Sequence, residues 1–205
     1  MKFKELIYDF DGTLSDSYPC LTNAFLDTLE YYGLSDSYEN VYAKLKISVG
    51  HCKKSYDFPA PIEEVSEKYK EYHLARAYDE QHALPGAAEI LKYAADMGCR
   101  NFIYTHSATL PAELLEKWGL DGYFTEIVNK TYGFPGKPAP DALNYLVEKY
   151  GLDLTQCLMI GDRDIDTECG KNAGMAGCLY DPEHYYDGTD VEYRITDLLE
   201  LKKII

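Results

Sequence analysis

The chain has 205 residues, of which 46% are hydrophobic and 27% are charged, a composition typical of a globular protein rather than a disordered acidic tail. Its 20 basic and 35 acidic residues give a net charge of −15, which argues against a nucleic acid or an anionic membrane surface as a partner. No apolar run approaches the roughly 20 residues that cross a bilayer and no signal sequence is apparent, so we expect a cytoplasmic protein.

The predicted secondary structure alternates between strands and helices over most of the chain. Short apolar runs bounded by turn residues predict buried strands at residues 6–10, 102–105, 124–128, 157–160 and 178–180. Helical apolar patterns lie at 86–97, 111–118 and 141–150, and each is followed by a glycine that suits a helix end. The alternation predicts an α/β fold, with a mostly parallel sheet flanked by helices and ligands at the carboxyl ends of the strands.

Residues 15–82 interrupt this alternation. The segment contains no clear strand pattern, and its apolar residues recur at helical spacing, as at Ala24, Phe25, Thr28 and Leu29. We therefore predict two domains: an α/β core domain formed by residues 1–14 and 83–205, and an inserted α-helical domain formed by residues 15–82. The inserted domain would cover the carboxyl ends of the strands.

The first predicted strand ends in two acidic residues, Asp9 and Asp11, at a glycine turn. Two unit charges about 4 Å apart repel each other by roughly 4 kcal/mol at an effective dielectric near 20, so a half-buried pair needs a cation or a proton. Mg²⁺ is a hard ion that takes oxygen ligands and acts on phosphates, which makes it the natural partner. The alternative is a plain Asp-Gly turn with both carboxylates in water.

Three later features lie beside other predicted strands. Thr105 places a hydroxyl at a strand end, and Lys137 lies in the stiff turn GFPGKPAPD before a helix. The segment GDRDID places Asp162, Asp164 and Asp166 just after another strand, a local charge concentration that also favours a cation. Taken singly, Thr105 and the aspartates suit helix caps, and Lys137 suits a surface lysine.

Together and in this order, these residues resemble the four motifs of the haloacid dehalogenase superfamily of phosphohydrolases, in particular its phosphoglycolate-phosphatase-like branch. The first motif, DFDGT, is matched completely, the second by Thr105, the third by Lys137, and the fourth by Gly161, Asp162 and Asp166. The resemblance covers the whole chain. It implies a Rossmann-like sheet with an inserted helical cap domain, and phosphoryl chemistry, since the dehalogenases lack the second aspartate of the first motif.

The resemblance also implies a covalent mechanism. Asp9 would attack phosphorus to form an aspartyl-phosphate, and Asp11 would protonate the leaving oxygen and then accept a proton from the hydrolytic water. Mg²⁺ would be bound by a carboxylate oxygen of Asp9, the backbone carbonyl of Asp11, the carboxylate of Asp162 and water.

The same resemblance implies how the phosphoryl group would be held. Thr105 and Lys137 would bind phosphoryl oxygens, assisted by backbone N–H groups such as that of His106. Asp166 would orient Lys137 or a metal-bound water. Asp164 is interpreted as a solvated or capping acid.

Substrate recognition would fall to the inserted domain. Its 7 basic and 12 acidic residues leave it acidic, so a phosphate must find locally placed donors. The candidates are Gly50, His51, Lys53 and Lys54, in a predicted loop that would reach the site, and Tyr18 at its entrance. The alternatives are a surface histidine, lysines on a solvated helix, and a tyrosine that simply packs.

Tyrosine is unusually frequent, with 20 residues against 7 phenylalanines. Tyr180, Tyr185, Tyr186 and Tyr193 lie in the C-terminal stretch, away from the motifs. We expect these four to pack or to form a subunit contact rather than to bind substrate.

The leading hypothesis is a Mg²⁺-dependent phosphatase that acts on a small phosphorylated metabolite, such as phosphoglycolate, a sugar phosphate or a nucleotide. A phosphomutase similar to β-phosphoglucomutase would use the same aspartate pair but keep the phosphoryl group on the enzyme. A regulatory module that is phosphorylated on Asp9 and read by a partner is a third hypothesis. The sequence leaves the oligomeric state open between monomer and homodimer.

Overall fold

The computed structural model describes residues 2–205 of the chain. The chain divides into two compact units, which we call the sheet unit (residues up to Ser15 together with Ala83–Ile205) and the helical unit (Asp16–His82). Among residues 2–205, no helix combines the length and the apolar character that crossing a membrane requires.

Strands and α-helices alternate along most of the chain, and four helices in succession interrupt the alternation after the first strand. In chain order, they are β1 (Glu5–Tyr8), α1 (Tyr18–Tyr31), α2 (Tyr38–Ile47), α3 (Val49–Lys54), α4 (Ile62–Glu80), α5 (Ala87–Asp96), β2 (Arg100–Tyr104), α6 (Leu110–Trp118), β3 (Phe124–Val128), α7 (Asp141–Tyr150), β4 (Cys157–Gly161), α8 (Asp164–Ala173), β5 (Ala176–Tyr180) and β6 (Tyr193–Ile195). Short 3₁₀-helices lie at Asp121–Tyr123, Lys130–Tyr132, Leu154–Gln156 and Leu198–Lys203.

The strands of the sheet unit form one parallel sheet in the order β3-β2-β1-β4-β5-β6. Successive residues of the central strand β1 enter different hydrophobic clusters: Leu6 and Tyr8 pack with residues of α5 and α6, and Ile7 packs with residues of α7 and α8. Helices thus cover both faces of the sheet. This explains why the strands are continuous apolar runs, since a strand buried on both sides places an apolar residue at every position. The predicted α/β fold with a parallel sheet is confirmed.

Two details of the sheet differ from the prediction. β1 ends at Tyr8 rather than at residue 10, because the chain turns there and the carbonyl of Phe10 accepts the N–H groups of Leu14 and Ser15, each at 2.9 Å. β6 was not predicted, since it is three residues long and contains Arg194 instead of an apolar run.

The helical unit consists of α1 to α4 and, as predicted, no strand is found within residues 16–82. α1 packs against both α2 and α4. The buried core of the helical unit includes Phe25, Leu29, Val41 and Tyr69, each at most 5% exposed. The spacing of the apolar residues on α1 explains this burial, because residues three and four positions apart share one helix face.

Candidate active site

Three of the predicted site residues follow strands that are neighbours in the sheet. Asp9 comes directly after β1, Thr105 directly after β2 and Asp162 directly after β4. Because β1 lies between β2 and β4 and all three are parallel, their carboxyl ends meet at one edge. The backbone N–H of Asp9 donates to the carbonyl of Ile160 at 2.8 Å, which ties the loop after β1 to β4.

A tight turn follows Asp9 and carries Asp11. Phe10 anchors the turn, since its ring is buried in the sheet unit and its carbonyl accepts the N–H groups of Leu14 and Ser15. Gly12 has a φ of 79°, a left-handed conformation that glycine adopts without steric cost. The glycine of the first motif is therefore required by the turn itself.

Three buried carboxylates lie together at this edge of the sheet. Asp9, Asp162 and Asp166 are at most 3% exposed, and each offers an oxygen within 4.8 Å of those of the other two. At that separation two unit charges repel by about 3 kcal/mol at an effective dielectric of about 20. Such a group needs cations beside it to be stable in the folded protein.

Lys137 supplies one of these cations. Its side chain is fully buried, and its Nζ donates to Asp9 Oδ1 and to Asp166 Oδ1, each at 2.7 Å. Burial lowers the pKa of Lys137, but the adjacent carboxylates of Asp166 and Asp9 outweigh it and raise the pKa above its usual value. The lysine is therefore an ammonium held between two carboxylates, and not the exposed residue that its sequence context alone allowed.

Asp166 is fixed between Lys137 and the start of α8. Its Oδ2 accepts the backbone N–H of Arg163 at 3.1 Å, while its Oδ1 accepts Lys137. A Cβ atom added at Gly161 would lie 2.2 Å from the Cβ of Asp166, so only glycine allows this close approach to the end of β4. Asp164, in contrast, is exposed and accepts the N–H of Ile165 at 2.8 Å.

The turn after β2 contributes a residue that the sequence analysis missed. Ser107 donates its hydroxyl to Asp11 Oδ2 at 2.7 Å, and its N–H donates to Thr105 Oγ1 at 3.0 Å. Thr105 is 1% exposed. The available signal was a second hydroxyl two residues after Thr105, but nothing in the sequence distinguishes such a serine from an ordinary loop residue.

His106 has a side-chain contact that was not predicted. Its Nε2 accepts the backbone N–H of Lys137 at 2.8 Å, which joins the turn after β2 to the turn that carries the lysine. His106 keeps an exposed edge, yet burial of the ring and the charges of Lys137 and Arg163 lower its pKa to about 4. The ring is therefore neutral near pH 7 and can act as the acceptor.

The loop after β5 follows a strand that pairs with β4. Burial, together with the carboxylates of Asp164 and Asp162, raises the pKa of Tyr186. Asp181 is buried and accepts the N–H groups of Tyr185 and Tyr186 at 2.8 and 3.0 Å.

The predicted substrate-binding loop of the helical unit is a helix. Gly50, His51 and Lys53 lie within α3, and Ser48 caps this helix by accepting the N–H of His51 at 2.9 Å. Lys54 is its last residue and is exposed. The prediction of a loop was wrong because Ser48 supplies a helix cap that the sequence analysis did not use.

The other predicted contacts of the helical unit are also internal to it. Lys53 Nζ donates to Ser66 Oγ at 2.8 Å. Tyr18 begins α1 and is 7% exposed, with Lys46 Nζ 4.1 Å from the centre of its ring. Packing within the unit thus accounts for Tyr18, and its role in substrate recognition stays a prediction.

Comparison with known proteins identifies relatives along almost the whole chain. A family model described as haloacid dehalogenase-like hydrolase matches residues 6–179. A phosphoglycolate phosphatase of Vibrio parahaemolyticus is 27% identical over 195 residues, which cover 88% of this chain and 86% of the relative. Pyrophosphatase PpaX of Halalkalibacterium halodurans is 27% identical over 215 residues, which cover 100% and 98% of the two chains.

Solved structures show the same fold. A hydrolase from Streptococcus pneumoniae is 34% identical, with a TM-score of 0.69 and coverage of 100% of this chain and 98% of that one. A haloacid dehalogenase-superfamily hydrolase of subfamily IA from Geobacter sulfurreducens is 21% identical, with a TM-score of 0.80 and coverage of 99% and 100%. The matched family region runs from β1 to β5 and includes the residues of all four motifs.

Proposed function

The chain belongs to the haloacid dehalogenase-like hydrolase family, and we propose that it is a Mg²⁺-dependent phosphatase that hydrolyses a small phosphate monoester. The observation that carries the proposal is the buried group in which Lys137 bridges Asp9 and Asp166 while Asp162 lies within reach. A fixed ammonium beside a site for a divalent cation would bind and polarise an anionic phosphoryl group.

The acidic group suits Mg²⁺ in charge and in donor chemistry. Three carboxylates against one ammonium leave two negative charges, and oxygen atoms are the ligands that Mg²⁺ prefers. Asp166 already accepts Lys137 with one oxygen and a backbone N–H with the other. Asp9, whose Oδ1 accepts Lys137, would therefore bind the ion through its second oxygen, together with the carboxylate of Asp162 and the backbone carbonyl of Asp11. When bound, the ion would weaken the repulsion between a nucleophilic carboxylate and an anionic substrate.

Asp9 and Asp11 have different roles in the proposed reaction: Asp9 is the nucleophile, and Asp11 is the general acid and base. A carboxylate oxygen of Asp9 attacks phosphorus, the bond to the leaving oxygen breaks, and the carboxylic acid of Asp11 gives that oxygen its proton. Water then attacks the aspartyl-phosphate and transfers a proton to the Asp11 carboxylate. The bond between phosphorus and Asp9 breaks, inorganic phosphate leaves, and both side chains return to their starting states.

Lys137 and Thr105 would hold the phosphoryl oxygens during both steps. The ammonium of Lys137 is positioned by two hydrogen bonds before any substrate binds. Thr105 Oγ1 accepts the N–H of Ser107, so its own hydrogen is available to donate to a phosphoryl oxygen. The backbone N–H of His106 would add a third donor.

Residues 1–14 and 83–205 would form the catalytic domain, and residues 15–82 would form the cap domain that selects the substrate. Phosphoglycolate is the first substrate to test, because curated relatives carry the name phosphoglycolate phosphatase. Pyrophosphate, sugar phosphates and nucleoside monophosphates complete the set.

The test is an assay for phosphate released from this panel, with Mg²⁺ and after its removal by a chelator. We expect hydrolysis of at least one monoester, loss of that activity on chelation and its return when Mg²⁺ is added back. The absence of phosphate release from every member would contradict the proposal. Isomerisation of a sugar phosphate that depends on a bisphosphate activator would instead identify a phosphomutase.

A further inference from the structure

Ser107 connects the turn after β1 to the turn after β2. Its hydroxyl donates to Asp11 Oδ2 at 2.7 Å, a usual length for a hydroxyl donor on a carboxylate. Its backbone is held on both sides, because its N–H donates to Thr105 Oγ1 and its carbonyl accepts the N–H of Lys130, each at 3.0 Å. The backbone that carries the hydroxyl is therefore fixed in position.

The two catalytic aspartates have partners of different chemical kinds. Asp9 is buried, and its Oδ1 accepts a hydrogen bond from the ammonium of Lys137. Asp11 is half-buried and is bonded to a neutral hydroxyl. Oδ2 of Asp11 can accept the Ser107 hydroxyl whether or not Oδ1 carries a proton, so this bond can persist while Asp11 loses and regains its proton.

We propose that Ser107 is the positioning residue of Asp11 and fixes which of its carboxylate oxygens exchanges the proton. The inference rests on the proposed function, in which Asp11 is the general acid and base. Because Ser107 engages Oδ2, Oδ1 is the oxygen that exchanges a proton with the leaving group and then with water. Without this bond the carboxyl group rotates, and fewer of its orientations allow proton transfer.

The test compares two substrates with the complete chain and Mg²⁺. One is the alkyl phosphate from the panel that is hydrolysed fastest, and the other is p-nitrophenyl phosphate, whose leaving group departs without being protonated. For Ser107→Ala we expect kcat/KM on the alkyl phosphate, which reports the step that phosphorylates Asp9, to fall about 10²-fold. The loss of kcat/KM on p-nitrophenyl phosphate should be at most about tenfold, because the departure of that leaving group does not use the proton of Asp11.

Two further variants separate positioning from a structural effect. Ser107→Thr retains the hydroxyl, and we expect it to recover most of the activity on the alkyl phosphate. Thr109→Ala removes a hydroxyl from the same turn, directly before α6, where Thr109 makes no side-chain cap bond. It should leave the ratio of the two kcat/KM values unchanged. Equal losses of kcat/KM for Ser107→Ala on both substrates, or no loss on either, would overturn the inference.

Asp9→Asn and Asp11→Asn distinguish failure of the inference about Ser107 from failure of the proposed function. If Asp9→Asn is inactive on both substrates and Asp11→Asn is selectively impaired on the alkyl phosphate, the phosphatase mechanism stands whatever Ser107→Ala shows. If Asp9→Asn keeps its activity, the mechanism fails and the inference about Ser107 fails with it.

Discussion

At the scale of single residues, Lys137 organises the charges of the site. A lysine without a charged partner would lose its proton on full burial, but here two carboxylates lie at 2.7 Å from its Nζ. The same two bonds hold Asp9 and Asp166 in place. Electrostatic pre-organisation of this kind costs folding energy through desolvation and is useful where the group must meet an anion.

Replacing Lys137 by methionine should impair both stability and catalysis. Asp9 and Asp166 would remain buried without their ammonium, so we expect the free energy of unfolding to fall by about 3 kcal/mol in the absence of Mg²⁺. The kcat should fall by about 10²- to 10³-fold. Urea unfolding and steady-state kinetics measure the two effects, and Lys171→Met, on the exposed end of α8, is the control. Unchanged values for Lys137→Met would remove the lysine from the site.

His106 predicts a pH dependence of stability. Its pKa is about 4 in the folded protein and 6.5 in a model compound, because burial and the charges of Lys137 and Arg163 oppose protonation. At a pH between these two pKa values, His106 binds a proton in the unfolded chain but not in the folded protein. The contribution to stability is therefore complete above pH 6.5 and is lost as the pH falls towards 4.

Urea unfolding at a series of pH values across this window measures the effect. His106→Gln cannot titrate but retains an acceptor for the N–H of Lys137, so its free energy of unfolding should fall less steeply with pH than that of the natural chain. His82→Gln removes an exposed histidine and serves as the control. Equal slopes for the natural chain and His106→Gln would show that His106 is not the titrating group.

At the scale of elements, the loops after the parallel strands are built to bring side chains to one edge. Gly161 ends β4 and allows α8 to begin against it, with the two Cβ positions 2.2 Å apart if an alanine were present. The loop after β5 is held differently, by an ion pair in which the partly exposed Arg194 donates from Nη1 to Oδ2 of the buried Asp181 at 2.7 Å. β6 thus contributes Arg194, whose ion pair with Asp181 holds the loop after β5.

Gly161→Ala should displace Asp166. The added methyl group cannot fit, so the start of α8 must shift at a cost of about 2 kcal/mol, and the bond from Lys137 to Asp166 should lengthen or break. Gly122→Ala is a matched control, because nothing lies within 4 Å of the added Cβ. Thermal unfolding and kcat together measure the change, and a Gly161→Ala enzyme as stable and active as Gly122→Ala would contradict this packing of α8 against β4.

Arg194→Met should loosen the loop after β5. Asp181 would keep its two backbone donors but lose its cation, and we expect the free energy of unfolding to fall by about 2 kcal/mol. Faster hydrogen exchange at the amides of Tyr185 and Tyr186 would localise the effect. Lys203→Met removes an exposed ion pair and should cost less than about 0.5 kcal/mol. Unaltered hydrogen exchange at both amides would show that the ion pair of Arg194 with Asp181 does not hold this loop.

The abundance of tyrosine also has an explanation at this scale. In the helical unit, Tyr56 and Tyr69 contact the ring of Phe25, with centroids 5.7 and 5.5 Å apart. Beside β3, the hydroxyls of Tyr132 and Tyr145 both donate to Glu126 Oε1 at 2.9 Å. These rings fill space, and the hydroxyls of Tyr132 and Tyr145 also satisfy a carboxylate, which is a structural use of tyrosine rather than a catalytic one.

At the scale of the whole molecule, residues fixed by the sheet could be predicted from the sequence and residues fixed by side-chain geometry could not. Asp9, Thr105 and Asp162 each follow an apolar run, and the edge at which they meet follows from parallel strand order. The bond from Ser107 to Asp11 depends on the rotamers of two loop residues, for which the sequence carries no periodic signal.

The pairing of Asp181 with Arg194, 13 residues apart, is another contact that no local pattern indicates. The segment around His51 shows a different kind of error. We predicted a loop there with a solvated helix as the alternative, and the structure confirms the helix. Ser48 marks the start of that helix, so the information was present in the sequence.

The whole chain carries a charge of −15, so it attracts an anionic substrate only if the charge is reversed locally. Lys137 and the proposed Mg²⁺ would do this at the carboxyl edge of the sheet, next to Asp9. The central claim is therefore that Asp9 is the nucleophile at this point of reversed charge.

Phosphate release by Asp9→Asn, measured with Mg²⁺ on the best substrate of the panel, tests that claim most directly. The amide retains the size of the side chain and an oxygen for Lys137, so circular dichroism should show an intact fold, but it cannot form an aspartyl-phosphate. We predict that phosphate release falls to the background of the assay. A folded Asp9→Asn protein that releases phosphate at the rate of the natural chain would contradict the account.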